Sequence, residues 1–355
     1  MMPYDKHAYL ILLLSLFIIY FISNSLSIIV PLYLNHIGLE LYIVGVLVSI
    51  SPLVRFLLLV TLYGEIIERV PAGVLYRLSI AATAASVALL LVKNPLIIAV
   101  SRILAGVFGT FLAPLLWNSI AGDAKMISYA NSVTVLAGIV SFVAAGLIVG
   151  AVGFKAALLL FSLLLLSTAF ARASAGGGGF KLGEVLRRSS STPLLAIFLE
   201  WYVLYSLFLI LPIFLNRQGL SIELIGLLFT VEAAVYGALQ PLVGRIVESR
   251  RKDVVSLLAL YPLPLFLIPL APGLTLPLLV LFAVGSSPIF IIETYYWRRR
   301  GFDMGILMSF GYLGSFIGPL VSSLLAQASF ILSFVQLAMV GCVLITTISM
   351  LLKNL

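Results

Sequence analysis

"PLYLNHIGL", Pro31 to Leu39, closes the first long apolar run of a 355-residue chain, and "PIFLNRQGL", Pro212 to Leu220, closes another run an offset of 181 residues later. At that offset Leu34, Asn35, Gly38, Leu39, Gly45 and Leu47 meet Leu215, Asn216, Gly219, Leu220, Gly226 and Leu228, all identical. Further on, "GEIIE" (Gly64 to Glu68) meets "GRIVE" (Gly244 to Glu248) with one residue dropped. At an offset of 174, Pro114 meets Pro288 and Ser141-Phe142 meets Ser315-Phe316. Matches in this order make the two halves parallel repeats of one another. The repeated phrase itself has local reasons. Pro31 and Pro212 can bend a helix end. Asn35 and Asn216 can satisfy backbone groups there, and Gly38 and Gly219 permit a turn with positive φ. It is read as a turn and a ruler, not as a binding motif.

Composition fixes the solvent in which the repeats fold. Hydrophobic residues make up 62% of the chain and charged residues 10%, with a mean hydropathy of +1.22. Soluble domains run at about 45–50% apolar and about 25% charged. So few charges cannot cover a water-facing surface, and a polytopic membrane protein is expected. One cysteine, Cys342, leaves no partner for a disulfide within the chain and no thiolate metal site. The two histidines, His7 and His36, lie near span ends and form no HExxH pair, so no metal and no cofactor are expected. The net charge of +8 does not point to nucleic acid, because the basic residues sit in short loops between apolar runs.

A membrane-crossing helix needs about 20 apolar residues. Twelve such runs are read near 8–34, 41–64, 72–92, 95–118, 127–150, 154–172, 193–215, 222–246, 253–271, 275–297, 303–326 and 329–352, here called spans 1 to 12. They are too long and too uniformly apolar for the alternating strands of a barrel, and a helix pairs its backbone groups within one segment. The fold class is therefore all-α, with twelve transmembrane helices in two six-helix pseudo-symmetric bundles. The divisions are 1–172, a Gly- and basic-rich linker 173–192 containing "AGGGGFK", and 193–355.

Of the 21 Lys and Arg, only Lys93, Lys155 and Arg217 fall in one set of loops, and only Arg55 and Arg102 fall inside spans. The rest crowd the alternate loops, which places both termini in the cytoplasm of a plasma-membrane protein.

With twelve runs in a six-plus-six repeat, the chain resembles the major facilitator superfamily of transporters. That family carries a Gly-x-x-x-Asp-Arg signature after span 2. Here it reads Gly64-Glu65-Ile66-Ile67-Glu68-Arg69, with Pro71 in place of a glycine and the following basic pair missing. The second copy keeps Gly244 and Glu248 before Arg250-Arg251-Lys252. The resemblance implies a cytoplasmic gate at Gly64, Glu68, Arg69, Gly244 and Glu248. Arg102, Gly106 and Thr110 in span 4 are similar to the family's Arg-x-x-x-Gly motif and share one helix face. Span 11 carries Gly314, Gly318 and Pro319, similar to a Gly-x-x-x-Gly-Pro motif that many exporters carry in span 5, where this chain has Ala144-Ala145. Spans 1, 4, 7 and 10 line the family's central cavity, which implies a lining of Tyr20, Asn24, Arg102, Trp201, Tyr205 and Glu293.

Charges inside spans cost about 2.5–3.5 kcal/mol each on insertion scales and usually face the bundle interior. Glu232, Tyr236 and Gln240 form one polar stripe on span 8, and the repeat sets Tyr236 against Arg55. Glu232 and Arg55 are read either as a proton-coupling charge pair or as a static pair that fixes helix packing. Glu200 and Glu293 either line the cavity or reach the cytoplasmic interface.

The function expected from these features is secondary active transport of a small organic solute by alternating access, leaning to export, with protons as a candidate coupling ion. The alternative is a non-transporting receptor or scaffold on a transporter fold. Neither a nucleotide-binding loop nor an intramembrane catalytic cluster is legible, so the chain is read as no enzyme. Its partners are the bilayer and a small-molecule substrate.

Overall fold

The computed structural model describes residues 6–120, 124–171, 191–249, 251–300 and 304–353. Most of the linker 173–192, including all five of its glycines, lies outside the described residues. Among the described residues all regular structure is helical.

Span 1 is Lys6–His36, span 2 Leu41–Thr61 and span 3 Ala72–Leu89. Span 4 is Pro95–Ile120, span 7 Ser191–Arg217 and span 8 Ile222–Ser249. Spans 10, 11 and 12 are Thr275–Arg300, Met304–Ala328 and Phe330–Lys353. Spans 5 and 6 are one helical run, Ala124–Leu166, broken at Gly153, whose φ of 78° and ψ of 166° no neighbouring helical residue shares. The break falls between the two predicted spans because glycine alone adopts that backbone without a Cβ clash. Among the described residues ten helices are long and apolar enough to cross a membrane, counting that run once.

Span 9 differs from the single helix expected over 253–271. It consists of Arg251–Leu258 and Pro262–Leu267. Pro262 and Pro264 remove two backbone donors, so a continuous ladder cannot pass. The break is a packed feature: a Cβ at Gly285 of span 10 would stand 2.5 Å from Tyr261 N.

The repeated phrases fold alike. Gly38 has φ 89° and Gly219 φ 88°. In the first copy Gly38 N donates to Asn35 O (3.0 Å) and Leu39 N to Leu34 O (3.2 Å). In the second, Gly219 N donates to Asn216 O (3.0 Å) and Leu220 N to Leu215 O (3.1 Å). Both are Schellman closures, in which a left-handed glycine lets two late carbonyls find donors.

Within lipid, helices gain little from hydrophobic burial against one another, so close approach and interhelical hydrogen bonds hold the bundles. Ser25 donates to Ser141 O (3.1 Å), joining spans 1 and 5. Ser162 donates to Ala84 O (2.8 Å), joining spans 6 and 3, and Gln240 Nε2 to Ser287 O (3.3 Å), joining spans 8 and 10. The halves meet along two related seams, span 2 on span 11 and the run of spans 5 and 6 on span 8. At the end carrying the repeated turns, Leu41 N donates to Gln327 Oε1 (3.0 Å), Arg217 Nη2 to Asn35 Oδ1 (3.4 Å), and the Glu223 side chain lies over Gly150.

Candidate functional site

The site lies between the two halves, and close helix packing places its polar groups. Gly106 lets span 4 press on span 2, where a Cβ would stand 2.7 Å from Val54 Cβ and 2.8 Å from Ser51 O. One helical turn on, Gly109 leaves the notch that Arg55 fills, with a Cβ there 2.6 Å from Arg55 Nη2. The Arg-x-x-x-Gly pattern thus works through packing, and Thr110 spends its hydroxyl on Gly106 O (2.6 Å).

From that notch Arg55 reaches across to the second half. Its Nη1 lies 3.5 Å from Tyr312 Oη, and its guanidinium carbon stands 5.5 Å from the Tyr312 ring centroid. The hydrogen bond is long, and the attraction of the cation for the ring face adds to it. Tyr312 in turn meets Trp201 edge-on at 5.2 Å, and Trp201 stacks on Tyr205 at 5.5 Å. Gly311 admits the Trp201 ring, since a Cβ there would stand 2.6 Å from it. On the first half, Trp117 Nε1 donates to Tyr20 Oη (3.0 Å), and the Asn24 amide lies against Gly138. Tyr20, Asn24, Arg55, Arg102, Trp201, Tyr205, Glu232 and Tyr312 are all half-buried.

The charges divide by half. Arg55 and Arg102 belong to the first half, and the Nε of each has no hydrogen-bond partner. Glu200, Glu232 and Glu293 belong to the second. Among the described residues none of these five joins an ion pair. Arg55 therefore pairs with Tyr312 and not with Glu232. Glu293 is fully buried rather than placed at an interface, and it faces Glu200. Such a site can hold a solute with aromatic or apolar bulk and offer it opposite charges from opposite walls.

The structure brings Arg55, Trp201 and Tyr205 together through Tyr312. Sequence reasoning missed Tyr312 and Trp117. The offset of 174 sets Tyr312 on Gly138, but that Gly138 faces Asn24, the repeat counterpart of Tyr205, is visible only in the fold.

The expected gate is less joined. Glu68 and Arg69 are exposed, and Arg69 Nη2 pairs with Glu65 Oε1 (2.6 Å) one turn back. Gly64 lies in the short helix Tyr63–Arg69, and nothing lies within 4 Å of a Cβ built on Gly244. The Glu248 side chain lies outside the described residues.

A helical bundle of two repeats, with aromatic and charged side chains where its halves meet, has the architecture of a membrane transporter. The chain belongs to the Major Facilitator Superfamily, whose family model matches residues 12–297 and 193–354. Solved structures agree. A bacterial homologue of the human lysosomal transporter Spinster, inward-facing and unoccupied, superposes with a TM-score of 0.77 at 14% identity, over 100% of this chain and 98% of that one. A bacterial homologue of the iron transporter ferroportin, inward-facing, gives 0.73 at 16% over 99% of each. The nucleoside transporter NupG gives 0.71 at 14% over 98% and 100%. At such identities the likeness is one of fold. No curated protein matches the chain.

Proposed function

We propose that the chain is a secondary active transporter that moves a small organic solute by rocking its two halves about the cavity, with proton coupling and with a lean to export. The observation that carries this reading is the Arg55–Tyr312 contact. It joins the halves among half-buried aromatic and charged side chains, where a solute held between the halves would feel both. The halves correspond to 1–172 and 193–355, joined by 173–192. The basic loops face the cytoplasm and both termini lie there, with the chain in the plasma membrane.

Contacts between the halves support the mechanism. They meet closely at the end of the repeated turns, through Leu41 with Gln327 and Arg217 with Asn35. The solved relatives described as inward-facing share this fold. Export fits the aromatic wall of Trp201, Tyr205 and Tyr312, which suits an amphipathic solute. Glu232, half-buried on span 8, is the carboxylate that would exchange protons with the cavity.

The test is flux in liposomes. Purified protein is reconstituted, candidate solutes are chosen by a thermal-shift screen, and uptake is followed under an imposed pH gradient. Solute-dependent flux that collapses with the gradient supports the reading. Binding without flux under any gradient would replace it with a receptor.

A further inference from the structure

Glu200 in span 7 and Glu293 in span 10 present their carboxyl groups to one another within hydrogen-bonding reach. Glu293 is 0% exposed. Both of its carboxylate oxygens lack a donor, and so does Glu200 Oε2. Among the described residues neither joins an ion pair. An ionised carboxylate only accepts hydrogen bonds. Two ionised carboxylates in this contact would leave three buried acceptor atoms empty and two like charges side by side in a low dielectric.

One proton resolves both problems. It turns one carboxylate into a donor, makes an O–H···O bond between the two residues, and lowers the pair's charge from −2 to −1. We infer that Glu200 and Glu293 form a proton-sharing carboxyl pair, a proton-binding site separate from Glu232. The surroundings fit a proton better than a metal ion. Among the described residues no three His, Cys, Asp or Glu side chains are grouped to hold a metal. Tyr236 of span 8 and Tyr261 at the break in span 9 face the pair electrostatically, and each also faces Glu232. Tyr205 of span 7 faces Glu200, Arg55 and Tyr312 of span 11, the last two in contact with one another. From span 12, Gln336 is committed to Tyr202 (2.7 Å) and supplies no donor to the pair through that contact.

The pair's use as a coupling site rests on the transport reading, but its proton occupancy does not. The experiment therefore needs no solute. Infrared difference spectra of the purified protein in lipid bilayers are recorded across pH for wild type, E200Q, E293Q and E232Q, following the protonated-carboxyl stretch that shifts in D2O. The expected result is two separated steps from the pair, distinct from any step of Glu232. E200Q and E293Q each replace the pair's two steps by a single one, whose midpoint lies about one pH unit or more from either, while E232Q removes at most its own step and keeps both of the pair's. The near-isosteric glutamines preserve shape, and helical content by circular dichroism confirms folding. Unmoved midpoints in both single variants would mean two independent acids and overturn the pair. Loss of the wild-type carboxyl stretch on adding sodium or lithium would make the site one for an alkali cation instead. If the steps are coupled but liposome flux is absent, the pair stands and the transport reading falls.

Discussion

Gly45 of span 2 and Gly226 of span 8 are the same residue of the repeat, and each admits a helix from the opposite half. A Cβ on Gly45 would run into Ser323 and stand 3.0 Å from Pro319 O of span 11, and a Cβ on Gly226 would run into Phe142 O of span 5. The pseudo-symmetry thus extends beyond span order to the close contacts that seal the two seams.

Alanine at either position forces backbone apart, because carbonyl oxygens and a short serine cannot swing away. Gly45→Ala and Gly226→Ala are expected to cost about 1–3 kcal/mol each, the range for overpacking. Gly73→Ala, where a Cβ meets nothing within 4 Å, should be neutral or slightly stabilising, since a helical glycine carries an entropic penalty. Thermal unfolding in detergent compares the three. An equal response at Gly45 and Gly73 would show that the seam is not tight.

The repeated turns make a different demand. A Cβ on Gly38 or Gly219 meets open space, so only the left-handed backbone opposes substitution. Gly38→Ala and Gly219→Ala should each cost about 1–2 kcal/mol, and asparagine at either site should cost less because its side chain tolerates that region. The same unfolding assay orders glycine, asparagine and alanine. A flat series would remove the argument from φ.

These two glycine pairs also show how far the sequence could be read. Gly38 and Gly219 were legible because a turn imposes its demand within a few residues. Gly45 and Gly226 were legible as repeat partners, but not as seam residues, since that depends on which helix lies opposite. The twelve spans followed from hydropathy, and the boundary at Gly153 fell where expected. Span 9 did not, because its length suggested one helix while Pro262 and Pro264 divide it. At the site, intramembrane charge marked Arg55, Glu200, Glu232 and Glu293 individually. Their partners were not legible. Tyr312 and Trp117 look like any interfacial aromatic in a linear chain, and only the fold sets one over Arg55 and the other on Tyr20.

Glu232 gives the prediction for energy coupling. It is half-buried and outside any ion pair. Glu232→Gln keeps the shape and hydrogen-bonding capacity but cannot release a proton. Under the proposed mechanism, pH-driven accumulation in liposomes should fall at least about tenfold, the equivalent of about 1.4 kcal/mol. Exchange of labelled for unlabelled solute without a gradient should persist. Accumulation unchanged from wild type would take the coupling role away from Glu232.

Alternating access requires the end near the repeated turns to open, and Glu223 over Gly150 offers a way to hold it shut. Glu223 Cγ lies 3.1 Å from the place a Cβ on residue 150 would occupy. A disulfide needs a sulfur about 3 Å from the partner Cβ, given its S–S bond of about 2.05 Å. Replacing Glu223 by cysteine puts sulfur near the Cγ position and removes the carboxylate that would otherwise collide. Gly150→Cys with Glu223→Cys, in a Cys342→Ser background that removes the one native thiol, should therefore cross-link spans 5 and 8 on mild oxidation. Flux should stop when the bond forms and return on reduction, while the one-cysteine controls, Glu223→Cys alone and Gly150→Cys with Glu223→Ser, stay active under the same oxidant. If flux continues in fully cross-linked protein, this seam does not part during transport, and solute must leave by a route other than separation of the two halves at this end.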